Sequence, residues 1–168
     1  MVKVKICGIT CAFELSKALN AKSDLVGFLV GITHKAEDQI PIEKARTLVK
    51  MVPPSIQTVA VTHLQAVDKI VEMTRFLGVS TLQLHEYLSP EEVSVIKSSL
   101  KGIEIIKAIH VSDETAVEEA MKYKYVADFL LLDTKTADRI GGTGLTHDWN
   151  ISKKLWNYRQ SLFFWPVD

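Results

Sequence analysis

The sequence predicts an α/β protein built on a parallel sheet. Three observations carry that reading. Short apolar runs alternate with helical segments from one end of the chain to the other. The apolar runs are compact and continuous, as in strands covered on both faces. No linker or low-complexity stretch interrupts the alternation.

The elements follow in order. Residues 2–7 read as a strand. Residues 12–21 read as a helix with Phe13, Leu15, Ala18 and Leu19 on or near one face. Residues 25–30 form a continuous apolar run, hence a buried strand. Pro41 opens a helix in its first turn, running to about Met51. Strand 58–61 precedes helix 65–77, which Gly78 ends. After strand 80–85, Ser89 reads as an N-cap with Pro90 at the first helical position. Strand 103–109 leads to a helix starting at Ser112 and ending near Tyr123. The run 127–132 ends on Asp133, a Gly141-Gly-Thr-Gly144 loop follows, and Asp148 opens a sixth helix. Residues 162–165 read as part of a seventh strand.

Six βα units fit either an open doubly wound sheet or a (β/α)8 barrel, whole or in part. A doubly wound nucleotide site carries a glycine fingerprint after its first strand, and Cys7-Gly8-Ile9-Thr10 has a single glycine. Cys7, His63, His85, His110 and Asp133 stand at the ends of successive strands, and a barrel gathers such residues over one mouth.

Composition narrows the function. The chain has 168 residues, which suits one domain over 1–168. Its 20 basic and 20 acidic residues balance, so nucleic acid and anionic membrane are poor partners. No apolar run suits a membrane span, and the first residues read as a strand, not a leader. Two cysteines do not make a disulfide scaffold, and a reducing cytoplasm is the expected compartment.

Cys7 and Cys11 lack a second ligand pair, so a metal site is not expected from them. Cys11 reads as a packing residue. Cys7 ends a strand just before a glycine, which suits either a reactive thiol or a small buried hydrophobe. Asp133 ends a very apolar strand, a costly place for an unpaired carboxylate. It reads as a general acid, or as a partner for the next loop through Lys135 or Arg139. Gly141 to Gly144 could cradle an anion or simply turn. The three histidines carry no metal-ligand spacing.

Lys5-Ile-Cys-Gly-Ile-Thr10, Leu82-Gln-Leu-His85, Leu131-Leu-Asp-Thr134 and Gly141-Gly-Thr-Gly144 followed by Asp148-Trp149 occur in this order over nearly the whole chain. Together they resemble the phosphoribosylanthranilate isomerases of tryptophan biosynthesis. The resemblance implies the TIM-barrel (β/α)8 fold, here as about six βα units plus part of strand seven. It implies an Amadori rearrangement of N-(5'-phosphoribosyl)anthranilate with no cofactor and no metal. It implies Cys7 as general base, Asp133 as general acid, and substrate binding by Lys35, His85, Gly142 and Gly144. The partner is then a phosphorylated small molecule, with a homo-oligomer possible.

Three departures stand out. The stretch Gly31-Ile-Thr-His-Lys-Ala-Glu-Asp38 lacks the arginine expected there, leaving Lys35 or His34 to replace it. Glu86 stands where the family has glycine after the histidine. Beyond Phe164 the family's phosphate-binding loops are not recognisable, so the chain reads as incomplete at its C-terminus. That raises a second expectation, an inactive remnant or an oligomerisation module held by open strand edges. A third, an isomerase of histidine biosynthesis, calls for two paired aspartates, and Cys7 speaks against it.

Overall fold

The structure, a computed structural model, describes residues 3–33, 36–134, 150 and 153–154. Six strands and five helices alternate: β1 (Lys5–Ile6), α1 (Ala12–Asn20), β2 (Leu25–Leu29), α2 (Ile42–Val49), β3 (Gln57–Thr62), α3 (Val67–Leu77), β4 (Thr81–Leu84), α4 (Pro90–Ser99), β5 (Glu104–Val111), α5 (Thr115–Lys122) and β6 (Phe129–Thr134). Asn150, Lys153 and Lys154 are helical, in line with the expected sixth helix. The expected strand at 162–165 lies outside the described residues, as do Lys35, Gly142 and Gly144.

The sheet runs β1-β2-β3-β4-β5-β6, and every pair is parallel. That order decides between the two architectures. A doubly wound sheet reverses its strand order at a switch point. Here each strand pairs with the next, so right-handed crossovers place the helices on one face and leave the other to curl inward as a barrel wall.

The apolar residues sort the same way. One cluster joins outward strand residues such as Val26, Phe28, Leu82 and Ile105 to helix residues such as Leu15, Ala45, Ile70 and Val93. A second contains strand residues alone: Leu25, Val59, Val61, Ile106, Ala108 and Leu131, flanked by Leu29 and Phe129. These sit at alternate positions, as the two-residue period of a strand requires. They form the inner packing of the wall. β4 turns Thr81 and Gln83 to this side, and Lys5 donates to Gln83 Oε1 at 2.7 Å. Gln57 donates to Glu104 Oε2 at 2.6 Å near the strands' N-terminal ends.

Several boundaries moved for local reasons. β1 is shorter than expected, because Asp24 Oδ2 accepts from Val4 N at 2.7 Å where a ladder bond would stand. α5 starts at Thr115, because Asp113 Oδ1 accepts from its backbone N–H at 2.8 Å and its hydroxyl at 2.6 Å. Phe13 was expected near the buried face of α1. It is 68% exposed, under Lys17 Nζ at 4.4 Å, while Leu15 and Ala18 are buried. The expected punctuation of α3 and α4 holds. Gly78 ends α3 in the left-handed region at φ 70°. Ser89 and Glu92 form a capping box at α4, with Pro90 in its first turn.

Candidate active site

The site is assembled from strand ends. Cys7 follows β1 directly and is exposed. Two glycines shape its surroundings. Gly8 turns the chain at φ +80°, a region L side chains avoid. Gly27 on β2 faces the thiol, and a Cβ there would lie 2.7 Å from Cys7 Sγ. The absent side chain is the space the sulfur occupies.

On the other side of the sheet order, β3 to β6 deliver a contiguous polar row. Inward positions recur every second residue, so Val61 leads to His63, Gln83 to His85, Ala108 to His110 and Leu131 to Asp133. The His63 and His85 rings stack with centroids 4.6 Å apart and planes 9° from parallel. The His85 and His110 centroids lie 5.2 Å apart, tilted by 52°. His63 Nδ1 meets Glu86 Oε1 at 3.0 Å. Asp133 Oδ2 stands 3.4 Å from His85 Nε2 and 3.8 Å from His110 Nδ1. A carboxylate therefore closes each end of a histidine row.

Burial makes the row consequential. The side chains of His85 and Asp133 are each 11% exposed, and that of His110 is 25% exposed. Asp133 Oδ2 and His85 Nδ1 are buried, with no hydrogen bond among the described residues. Such atoms usually find a partner, and in a mouth open to ligands that partner can be substrate or solvent.

Of the expected site residues, Cys7, His85 and Asp133 are described, and all three lie at C-terminal ends of strands. Among the described residues the side chains that could pair with the Asp133 carboxylate are histidines. Lys135 and Arg139, the partners entertained from sequence, lie outside those residues. Three contributors went unrecognised: Gly27, His110 as a neighbour of Asp133, and His63 as the partner of Glu86. The sequence already grouped the histidines with Asp133 at the strand ends, and counting by twos from each strand's inward apolar residues gives the common facing that pairs them. Nothing in the sequence pointed from Gly27 to Cys7.

Fold and site together define a barrel-type α/β protein with a thiol and a carboxylate among the strand ends of one mouth. Comparison with known proteins makes the assignment particular. The family model for N-(5'-phosphoribosyl)anthranilate isomerase matches residues 4–163. The isomerase of Methanothrix thermoacetophila is 37% identical over 155 residues, covering 92% of this chain and 72% of that protein. The crystal structure of the Thermotoga maritima isomerase superposes with a TM-score of 0.86 at 31% identity, covering 99% of this chain and 78% of that one. An isomerase crystallised with reduced 1-(o-carboxyphenylamino)-1-deoxyribulose 5-phosphate gives 0.78 at 29% identity, covering 95% and 73%. The Thermotoga maritima enzyme is described as dimeric. The chain belongs to the N-(5'-phosphoribosyl)anthranilate isomerase family.

Proposed function

We propose that this chain catalyses the isomerisation of N-(5'-phosphoribosyl)anthranilate to 1-(2-carboxyphenylamino)-1-deoxyribulose 5-phosphate, a step of tryptophan biosynthesis. The observation that carries the reading is the position of Cys7 and Asp133. They stand at the C-terminal ends of the first and sixth strands of a chain that belongs to this family.

The reaction needs an acid and a base and no net electron transfer. Asp133 gives its proton to the ribose ring oxygen as the C1'–O bond breaks. The anthranilate nitrogen lone pair forms the C1'=N iminium. The Cys7 thiolate takes the C2' proton, and that electron pair becomes the enolamine double bond. Tautomerisation then yields the C2' ketone. Carbon 1' is reduced and carbon 2' oxidised within one molecule, so the electrons balance without a redox partner.

The 3.4 Å approach of His85 Nε2 to Asp133 Oδ2 supports a role for His85 in holding substrate at the acid. Lys35, Gly142 and Gly144 complete the proposed binding set. A phosphorylated small molecule is the partner, cytoplasm the compartment, and a homo-oligomer the expected assembly. Among the described residues no helix is long and apolar enough to cross a membrane.

The test is turnover of freshly generated substrate, followed by loss of its fluorescence. Cys7→Ala and Asp133→Asn should each lower kcat by about 100- to 10,000-fold, the usual worth of a positioned acid or base. A folded parent chain with no turnover, or variants as fast as the parent, would sink the assignment.

A further inference from the structure

We propose that His85, His110 and Asp133 form a binding site for a borderline divalent transition-metal ion, represented by Zn2+, and that filling it inhibits the enzyme. The three residues come from adjacent strand ends, so a packed sheet sets their spacing. One ligand atom from each lies within 4.8 Å of the other two. Tetrahedral zinc, with bonds of about 2.0–2.1 Å, separates its ligand atoms by about 3.3 Å. Asp133 Oδ2 is already 3.4 Å from His85 Nε2 and 3.8 Å from His110 Nδ1. Rotation of the His110 side chain, the most exposed of the three, closes the remaining gap.

Two further observations favour a cation. Asp133 Oδ2 is buried and accepts no hydrogen bond among the described residues, so a metal would satisfy it. The His110 side chain is also 25% exposed, which gives water a route to a fourth position, as in zinc sites with three protein ligands. Two imidazoles and one carboxylate select borderline ions such as Zn2+ over Mg2+, which prefers oxygen ligands and keeps its water.

Inhibition follows because the metal takes the oxygen that carries the acid's proton. That consequence rests on the isomerase reading; the binding does not. Activity loss would be reversed by a chelator, with no change in fold.

The experiment is calorimetric titration of Zn2+ into the chelator-treated full chain, beside turnover with and without Zn2+. One ion per chain is expected, and Mg2+ should give no heat. His110→Ala and Asp133→Asn should each weaken zinc binding by about 100-fold or more, at least the upper range seen for outer-shell partners. His63→Ala should weaken it by less than either ligand substitution, since His63 stacks on His85 but lies outside the group of ligand atoms. Circular dichroism checks that each variant is folded. Absent heat with the parent chain overturns the proposal. So does zinc binding that survives both His110→Ala and Asp133→Asn but disappears in Cys7→Ser. Binding without turnover would retain the metal site and remove the isomerase reading. Turnover indifferent to bound Zn2+ would refute the inhibition.

Discussion

Cys7 owes its position to a side chain that is missing elsewhere. Gly27 leaves the space for the sulfur, and a Cβ there would also come within 3.4 Å of the Cys7 backbone Cα. The Lys5 Cε, at 3.1 Å, would also have to give, so the strain falls on the Cys7 thiol and the Lys5 side chain. Gly27→Ala should therefore shift Cys7 while leaving most of the core intact. A displacement of about 1 Å costs about 100-fold in rate, so kcat should fall by that order. Steady-state turnover checks it. An unchanged kcat would show that the base tolerates the shift or is not Cys7. Glu86 is a second residue whose meaning depends on its neighbour. The charge it adds at the mouth is met by His63 at 3.0 Å, so the departure from the family's glycine has a partner.

At the scale of elements, α4 and α5 are tied down by polar contacts of known worth. Ser89 Oγ accepts from Glu92 N at 3.2 Å, and Glu92 Oε2 accepts from Ser89 N at 2.7 Å. Ser89→Ala should cost about 1 kcal/mol of stability, read as a lower denaturant midpoint at unchanged slope. Tyr123, just past α5, is buried and donates its hydroxyl to Leu88 O at 2.7 Å. Burial foremost, with Glu119 beside it, holds that phenol well above its ordinary pKa, so it remains a donor. Tyr123→Phe removes the donor and strands the Leu88 carbonyl, at a cost of about 1–3 kcal/mol. The same titration checks it. A loss near zero would mean water reaches Leu88. Lys97 and Asp128 add an ion pair between α4 and the approach to β6, and Asp128 Oδ2 also accepts from Ile105 N at 2.7 Å.

At the scale of the molecule, Lys107 puts a charge in the layer between sheet and helices. Lys107 on β5 is buried, donates to Ala108 O at 2.6 Å and sits 5.4 Å from the Tyr123 ring centroid. Desolvation lowers its pKa to about 8, despite Glu119 and Glu86 nearby. The folded chain therefore binds the proton less tightly than the unfolded one. Between about pH 8 and pH 10.5 the unfolded state holds more protons, so this group makes stability rise with pH. The full span corresponds to about 3 kcal/mol. Lys107→Met should be more stable than the parent at pH 7, and the advantage should shrink steadily above pH 8. Melting curves of both proteins across that range check it. A constant difference would mean Lys107 is not held charged at neutral pH at this cost.

The sequence by itself determined the alternation of elements, the parallel sheet and the punctuation at Gly78 and Ser89. These are local matters: periodicity, missing donors and caps act within a few residues. It also singled out Cys7 and Asp133, because a reactive or charged group ending an apolar strand is conspicuous on physical grounds alone. Boundaries failed where a distant or unexpected side chain replaced a backbone bond, as Asp24 does at β1 and Asp113 at α5. Phe13 left the core because the buried stripe of α1 is narrower than its apolar content suggested. Only the tertiary structure decided the rest. Strand order separated barrel wall from doubly wound sheet, since both share one alternating pattern. Register brought three histidines and Asp133 into one row, and fitted Gly27 to Cys7 across two strands. Those contacts join residues far apart in the chain, and only the folding of the sheet sets the distances between them.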